Sequence, residues 1–346
     1  MILKRMIAVP THCVRVRKGL ALAGASTLVF TGCSSGTDTI TESEAPPTES
    51  SSEPDANIVA TTTIWADIAS RSLCGLEVAS VIPAGADPHT FETSLADRAT
   101  LEQADLVVAN GLALEEGLVD LLATVADGGT PVIEMTEAVA IRDMGDDHDD
   151  EHDEDHADEH HDEDEDHDDH DHDHSGSDPH IWLDPINVAS TVNLITEAAI
   201  DAGFDTSVRA CAQDFIDEIE ALDTEIADDL SAIPSDRRFL VTNHDALGYF
   251  AERYGFEVVG TVIPSLSTLA ETNPADLADL AAIIEELDIP TVFSEEQASA
   301  RDADALADAI PGLTVVALDT GSLRDTDDDY LSMMRRNVTA IAEALG

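Results

Sequence analysis

Three isolated histidines are the residues of this chain whose type and surroundings point most directly to chemistry. Of the 13 histidines, nine lie in one acidic tract and His12 lies near the start, which leaves His89, His180 and His244. His89 ends Gly-Ala-Asp-Pro-His, His180 ends Asp-Pro-His before a predicted helix, and His244 directly follows a predicted strand. Each one alone is more simply a capping or hydrogen-bonded surface residue. A folded region that otherwise lacks histidine favours a shared role for all three.

The chemistry that fits these residues is metal binding. Asp319 follows a further predicted strand and supplies a carboxylate at an equivalent place. Three imidazoles and one carboxylate form a four-coordinate set that suits Zn²⁺ at about 2.0–2.2 Å. Imidazole also suits copper, nickel and cobalt, whereas Mn²⁺ prefers more oxygen ligands. We therefore predict that His89, His180, His244 and Asp319 bind Zn²⁺.

The elements that position these residues alternate between short β-branched strands and amphipathic helices. The sequence predicts strands at 58–61, 77–82, 106–109, 131–133, 239–242, 258–261, 291–293 and 314–317. It predicts helices at 65–73, 95–103, 115–126, 247–254, 274–287, 302–310 and 329–345. This alternation is typical of parallel βαβ units and predicts an α/β fold. Ligand groups in such sheets follow the carboxyl ends of strands, where His89, His244 and Asp319 fall.

A long helix is predicted between the two halves. Apolar residues recur every three or four positions from Val208 to Leu230, and neither Gly nor Pro occurs from Thr206 to Ile233. Such a helix would be roughly 40 Å long. It could be a core helix of one lobe, but βα units on both sides favour a rigid connector. The predicted organisation is an N-terminal lobe (57–205), a connecting helix (206–233) and a C-terminal lobe (234–346), with the metal in the cleft between lobes.

Composition excludes one large class of function. The 346 residues include 16 Lys and Arg against 73 Asp and Glu, which gives a formal charge of −57. Binding to nucleic-acid phosphates requires clustered basic residues, so a nucleic-acid partner is excluded.

The start of the chain has the features of an export signal. Arg15, Arg17 and Lys18 precede a short apolar stretch that ends in Gly32-Cys33. This pattern predicts a lipoprotein signal peptide over 1–32, a lipid on Cys33 and a flexible tether over 33–56. The alternative is cleavage without lipid. We expect a protein exported and anchored on the outer face of the cytoplasmic membrane.

Two further cysteines, Cys74 and Cys211, lie in the predicted folded region. An exported protein permits a disulfide, but sequence alone cannot show whether the two approach each other. Two separate buried cysteines are equally compatible with the sequence, and a zinc site built on the pair is the least favoured alternative.

An acidic-histidine tract separates His89 from His180. Residues 143–174 contain 20 acidic residues, nine histidines and no Lys or Arg. That composition cannot form a core, so the loop over 143–177 is predicted to be disordered. A purely solvating tract would need no histidine. We therefore expect weak binding of additional Zn²⁺ along it.

Taken together, the motifs resemble the zinc- and manganese-binding solute-binding proteins of bacterial ABC importers, most closely the ZnuA-type zinc branch. The resemblance covers 57–346 and lies in the runs 85–92, 104–111, 178–185, 243–250 and 318–319. Zinc proteins of that family have histidine at the position of His244, whereas manganese proteins have glutamate. Thr320-Gly321 departs from the family's usual Pro-Leu-Gly after the aspartate.

The resemblance implies two Rossmann-like lobes joined by a long helix, and a receptor that passes Zn²⁺ to an ABC permease and its ATPase. It implies no enzymatic activity, and a monomer is the expectation. Three alternatives are a manganese or other divalent-metal receptor, an extracellular metal buffer built on the acidic tract, and a zinc hydrolase. A hydrolase would need an open coordination position. The chain has no His-Glu-x-x-His run, and Asp319 would fill that position.

Overall fold

The computed structural model describes residues 57–143 and 176–346 of the chain. The predictions of a signal peptide, lipid anchor and tether, and most of the predicted loop, fall on residues outside these ranges. Within them, no helix has both the length and the apolar character needed to cross a membrane.

The N-terminal half forms a parallel sheet of four strands in the order β2-β1-β3-β4. Its strands are β1 (Ile58–Ala60), β2 (Ala79–Ser80), β3 (Leu106–Ala109) and β4 (Val132–Glu134). Its helices are α1 (Thr63–Ser72), α2 (Leu95–Glu102) and α3 (Val119–Asp127). The side chain of Thr62 caps α1, and Ser94 forms a capping box with Asp97 at the start of α2. These side chains satisfy backbone N–H groups that a helix start leaves free.

Two long helices follow in the middle of the chain, α4 (Pro185–Asp201) and α5 (Val208–Leu230). Asp184 caps α4, and Pro185 occupies its first turn, where a missing N–H costs nothing. With 23 residues, α5 is about 35 Å long, slightly shorter than the predicted helix.

The C-terminal half forms a second parallel sheet, in the order β6-β5-β7-β8. Its strands are β5 (Phe239–Thr242), β6 (Glu257–Thr261), β7 (Thr291–Glu295) and β8 (Thr314–Leu318). Its helices are α6 (Gly248–Tyr254), α7 (Pro274–Glu286), α8 (Arg301–Ala309) and α9 (Tyr330–Leu345). The two sheets share one pattern of strand order, and the predicted two-lobed α/β fold is confirmed.

One continuous hydrophobic core joins the two sheets. It contains Ile58 and Val108 from the first sheet, Leu240 and Phe293 from the second, and Ile219 from α5 between them. The helices α1, α4 and α9 pack against α5 around this core. Alternate residues of the strands face a separate outer core on each lobe. Both faces of each sheet are therefore buried, as expected for parallel sheets, and the shared core opposes large movements between lobes.

A disulfide joins Cys74, just after α1, to Cys211 in α5, with a Cα–Cα distance of 5.2 Å. The sequence had left this pairing open. The bond ties the end of α1 to α5.

Three element boundaries differ from the sequence predictions in ways that affect the site. The strand predicted at 77–82 is reduced to Ala79–Ser80, and β7 extends two residues further, to Glu295. The helix predicted at 115–126 begins as a 3₁₀ turn, Glu116–Leu118. Gly117 in that turn lies against Phe91, where a Cβ would come within 2.2 Å of the Phe91 carbonyl oxygen. This close approach brings the 3₁₀ turn beside the loop that carries His89.

Candidate metal centre

His89 lies in the loop that follows β2 and is 4% exposed. Its backbone N–H donates a 3.0 Å hydrogen bond to Asp87 Oδ1. The second oxygen of Asp87 accepts a 2.6 Å bond from Thr268 of the C-terminal half. Asp87 therefore holds the backbone of His89 and also contacts the opposite lobe.

His180 lies just before the 3₁₀ turn Ile181–Leu183 that leads into α4. Oδ1 of the fully buried Asp178 accepts from the His180 backbone N–H at 3.0 Å and from its Nδ1–H at 2.9 Å. Asn110, after β3, donates to the carbonyl of Pro179 at 2.9 Å. Trp182 donates to the carbonyl of Thr320 at 2.7 Å. The segment that carries His180 is thus attached to both lobes.

His244 stands two residues after the end of β5 and is also buried. Its Nδ1 pairs with Oε1 of Glu295, the last residue of the neighbouring strand β7. The other oxygen of Glu295 accepts from Thr320 at 2.9 Å and from Gln297 at 3.1 Å. The Glu295 carboxylate is therefore held firmly beside the imidazole.

The three imidazoles converge on one point. Nε2 of His180 lies 3.3 Å from Nε2 of His89 and 3.1 Å from Nε2 of His244. Two nitrogens bound to one tetrahedral Zn²⁺ at the usual bond length are roughly 3.3 Å apart. Within residues 57–143 and 176–346, no other set of three His, Cys, Asp or Glu side chains brings its ligand atoms this close.

The Nδ1 atoms of the histidines face away from the centre, and we call them the outer nitrogens. Carboxylates beside two of them determine which ring nitrogen can bind a metal. Because Asp178 and Glu295 accept only, Nδ1 of His180 and of His244 carries the hydrogen, and each neutral ring presents an Nε2 lone pair to the centre. Histidine ligands of metals usually have such a second hydrogen bond to a carboxylate or carbonyl. Two facing lone pairs repel, so a cation or a proton is needed between the rings.

The pKa values of two of the rings are shifted in opposite directions. Burial, with the neighbouring His244 and His89, lowers the pKa of His180 well below 6.5. Burial also opposes protonation of His244, but Glu295 outweighs it and raises the pKa of His244. Without metal, a proton on His244 Nε2 can therefore bond to the lone pair of neutral His180. A metal ion would replace that proton.

Asp319, the fourth predicted ligand, is not part of the histidine group. Its buried carboxylate accepts from Arg324 Nε at 2.7 Å and from Arg336 Nε at 3.0 Å. It lines a cavity of about 300 Å³ with Arg324, whereas the space between the imidazoles is lined by other residues. In this structure two guanidinium groups occupy both oxygens of Asp319, and its role as a metal ligand stays a prediction.

Sequence reasoning missed Asp178 and Glu295, although both are buried acids in contact with the histidines. Asp178 stands two residues before His180, and its burial raises its pKa to about 6 against the effect of Arg142. Glu295 ends the strand beside the one that precedes His244. The rule that functional groups follow strands would have found Glu295 if β7 had been predicted at its full length.

A polar cavity of about 590 Å³ adjoins the histidine group. Asp87 and Gln297 line both this cavity and the space between the imidazoles. Glu271, Asp302 and the basic residue Arg301, which pairs with Asp302, also line it. With three acidic residues against one arginine, the lining carries an excess of negative charge, which favours the approach of a cation.

Comparison with known proteins agrees with this architecture. The profile of the ZnuA family, described as zinc-uptake complex component A, periplasmic, matches residues 58–344. The chain is 26% identical over 271 residues to the zinc-binding protein TroA of Treponema pallidum. This alignment covers 75% of this chain and 79% of TroA. It is 27% identical over 274 residues to the manganese-binding lipoprotein MntA of Halalkalibacterium halodurans, covering 78% of this chain and 81% of MntA.

The solved structure of TroA has the same fold. It aligns with a TM-score of 0.70 at 24% sequence identity and covers 84% of this chain and 99% of TroA. Since the family profile spans both sheets and all three histidines, the chain belongs to the ZnuA family, the metal-binding substrate-binding proteins of ABC importers.

Proposed function

We propose that this protein captures Zn²⁺ outside the cytoplasm and delivers it to an ABC permease for import. The observation that carries this proposal is the convergence of three buried imidazoles, His89, His180 and His244, each of which offers a ring nitrogen within 4.8 Å of the others. Buried imidazoles whose ring nitrogens converge in this way are good ligands for Zn²⁺. Zn²⁺ is the cargo here and undergoes no reaction.

The donor set favours zinc over manganese. Manganese prefers carboxylate and water oxygens, and three nitrogens offer it a poorer site. The relatives include both a zinc-binding and a manganese-binding protein, so the preference of this chain rests on its own ligands. We propose that a water molecule completes the coordination, because Asp319 is paired with Arg324 and Arg336.

Without Asp319, a three-histidine site has an open position, and one argument against a zinc hydrolase is lost. Membership of a family of transport components argues against that alternative instead. We propose no catalytic residue.

Delivery requires that a permease distinguish loaded from empty protein. We propose that the two lobes close slightly on the ion. The lobes comprise residues 57–205 and 234–346, and residues 206–233 connect them. The core shared around α5 supports a small closure. The proposed partners are the permease and its cytoplasmic ATPase, and the receptor acts as a monomer.

Two parts of the proposal concern residues outside the described ranges. Cys33 carries a lipid that holds the protein on the outer face of the membrane, and changing Cys33→Ala should release it into the soluble fraction. The acidic-histidine tract collects Zn²⁺ weakly and raises its concentration near the site.

Growth under zinc limitation tests the function. A strain without this protein should grow poorly in zinc-depleted medium, and the wild-type gene should restore both growth and ⁶⁵Zn uptake. His180→Ala should restore neither, although the protein is present at normal amounts. Rescue by His180→Ala, or a growth defect specific to manganese depletion, would contradict the proposal.

A further inference from the structure

The outer nitrogen of His89 differs from those of the other two histidines. Nδ1 of His180 and of His244 each has a carboxylate partner, but buried Nδ1 of His89 makes no hydrogen bond within the described part of the chain. Glu116 Oε1 lies 3.7 Å from it, just beyond hydrogen-bonding distance. An unpaired buried nitrogen is costly, and a small movement of Glu116 would satisfy it.

The same Glu116 oxygen contacts the opposite lobe. Ser267, in the loop between β6 and α7, donates a 2.5 Å hydrogen bond to Glu116 Oε1. The next residue, Thr268, bonds to Asp87, which in turn holds the His89 backbone. Two consecutive hydroxyl groups of this loop therefore bind the two acids that flank His89.

The base of this loop is attached to the third histidine. The Ser265 carbonyl accepts from the backbone N–H of Asp245 at 2.9 Å, and Ile263 N–H donates to the Asn243 carbonyl at 2.7 Å. Asn243 and Asp245 flank His244. We refer to residues 263–268 as the strap, since they connect the surroundings of His244 to those of His89.

We propose that Glu116 is the positioning residue for His89, and that it links metal binding to the strap through Ser267. This inference rests on the proposed function. A cation on Nε2 makes Nδ1–H a stronger donor, so the bond from His89 to Glu116 strengthens when metal is bound. Glu116 then joins His89 to Ser267 across the lobes. By linkage, contacts that metal strengthens also strengthen metal binding.

Glu116 is well placed for this role. Its side chain is 37% exposed, so it can shift without disrupting a core. The 3₁₀ turn that carries it is held against the His89 loop at Gly117.

The test measures Zn²⁺ affinity and dissociation in the full chain. Glu116→Ala should raise the Kd about tenfold, as removal of an outer partner of a metal ligand typically does. Glu116→Gln, which keeps an acceptor oxygen, should recover part of that loss. Glu137→Ala removes an exposed acid from another 3₁₀ turn of the same lobe and should leave the Kd unchanged.

Ser267→Ala should speed dissociation of Zn²⁺, whereas Ser190→Ala on the exposed side of α4 should not. If Glu116 acts through Ser267, the double variant should dissociate no faster than the faster single variant. If the two substitutions instead multiply their effects on the dissociation rate, the link through Ser267 is overturned.

NMR provides a readout that would not change if Glu116 had a purely structural role. In the zinc-loaded protein, the Nδ1 proton of His89 should exchange slowly with water, and Glu116→Ala should abolish that protection. If Glu116→Ala changes neither Kd nor exchange while His89→Ala abolishes tight binding, the inference fails and the proposed function stands. If the wild-type chain itself shows no tight binding of Zn²⁺, the proposed function has failed.

Discussion

The Nε2 atoms of His180 and His244 lie 3.1 Å apart, although 64 positions separate these residues in the chain. One precedes α4 and the other follows β5, and each has a buried carboxylate on its outer nitrogen. The ligand atoms are therefore already near the spacing that a tetrahedral ion requires. Such preorganisation reduces the reorganisation that binding would otherwise require.

Glu295 should control the pH dependence of Zn²⁺ binding. Because it raises the pKa of His244, protons compete with metal at higher pH than they would at an isolated buried histidine. In Glu295→Gln the charge that raises the pKa of His244 is gone and burial lowers it. The pH at which Zn²⁺ affinity falls should therefore move downward. Affinity at pH 8 should also weaken, by about tenfold, because a carboxylate partner is lost.

The measurement is the Zn²⁺ Kd from pH 5 to 8.5, by chelator competition, with the exposed neighbour Glu296→Gln as control. Calorimetry in buffers of different ionisation enthalpy should detect proton release by the wild type near neutral pH, and less release by Glu295→Gln. A midpoint that stays in place or rises in Glu295→Gln would refute the assignment.

Asp319→Asn separates a ligand role from a structural one. In the structure the Asp319 carboxylate joins the partly exposed Arg324 and Arg336, so its loss should lower the free energy of unfolding by about 1.5–3 kcal/mol, as expected for hydrogen bonds to charged groups. The Zn²⁺ Kd should change by less than about threefold, since losing a metal ligand would cost far more. Denaturant unfolding and metal titration measure the two quantities. Asp327→Asn, at an exposed position nearby, serves as the control. A large loss of affinity with unchanged stability would show that Asp319 is a ligand.

Changing His244→Glu should shift the metal preference towards manganese. The substitution replaces a nitrogen ligand by oxygens, which Mn²⁺ prefers. It also places a carboxylate beside Glu295, and like charges in a buried site repel. We therefore expect the double variant His244→Glu, Glu295→Gln to be the more stable of the two. The ratio of Zn²⁺ to Mn²⁺ affinity should fall in both variants, and an unchanged ratio would argue that His244 does not contact the ion.

The disulfide should contribute to stability and not to metal binding. It closes a loop with a sequence separation of 137 residues, and its removal should cost about 2–5 kcal/mol. Urea unfolding of the double variant Cys74→Ser, Cys211→Ser should match that of the reduced wild type. The variant should keep the wild-type Zn²⁺ Kd, measured by chelator competition under conditions where it is folded. Equal stability of oxidised and reduced wild type would contradict this prediction.

The sequence was informative where local motifs carry the chemistry. His89, His180 and His244 stand in distinctive runs at element ends, and alternating βα patterns gave the fold. The acidic partners of the histidines were harder to predict. Glu295 and His244 are 51 residues apart in the chain, and their contact depends on their two strands being neighbours in the sheet. Asp319 stands at the end of β8 as expected, but Arg324 and Arg336 reach it from the following loop and α9. Sequence separation alone does not reveal such competition for a carboxylate.

The central claim is a single buried zinc site that is independent of the acidic-histidine tract. Asp143 and Ser177 pair directly, so residues 146–174 can be removed without separating the ends of the tract. The most direct measurement is calorimetric titration of this shortened, metal-stripped protein with Zn²⁺ and then Mn²⁺, alongside its His244→Ala variant. We predict one tight Zn²⁺ equivalent, much weaker Mn²⁺ binding and loss of tight binding in the variant. Tight binding that disappears with the tract and does not depend on His244 would instead show an extracellular metal buffer.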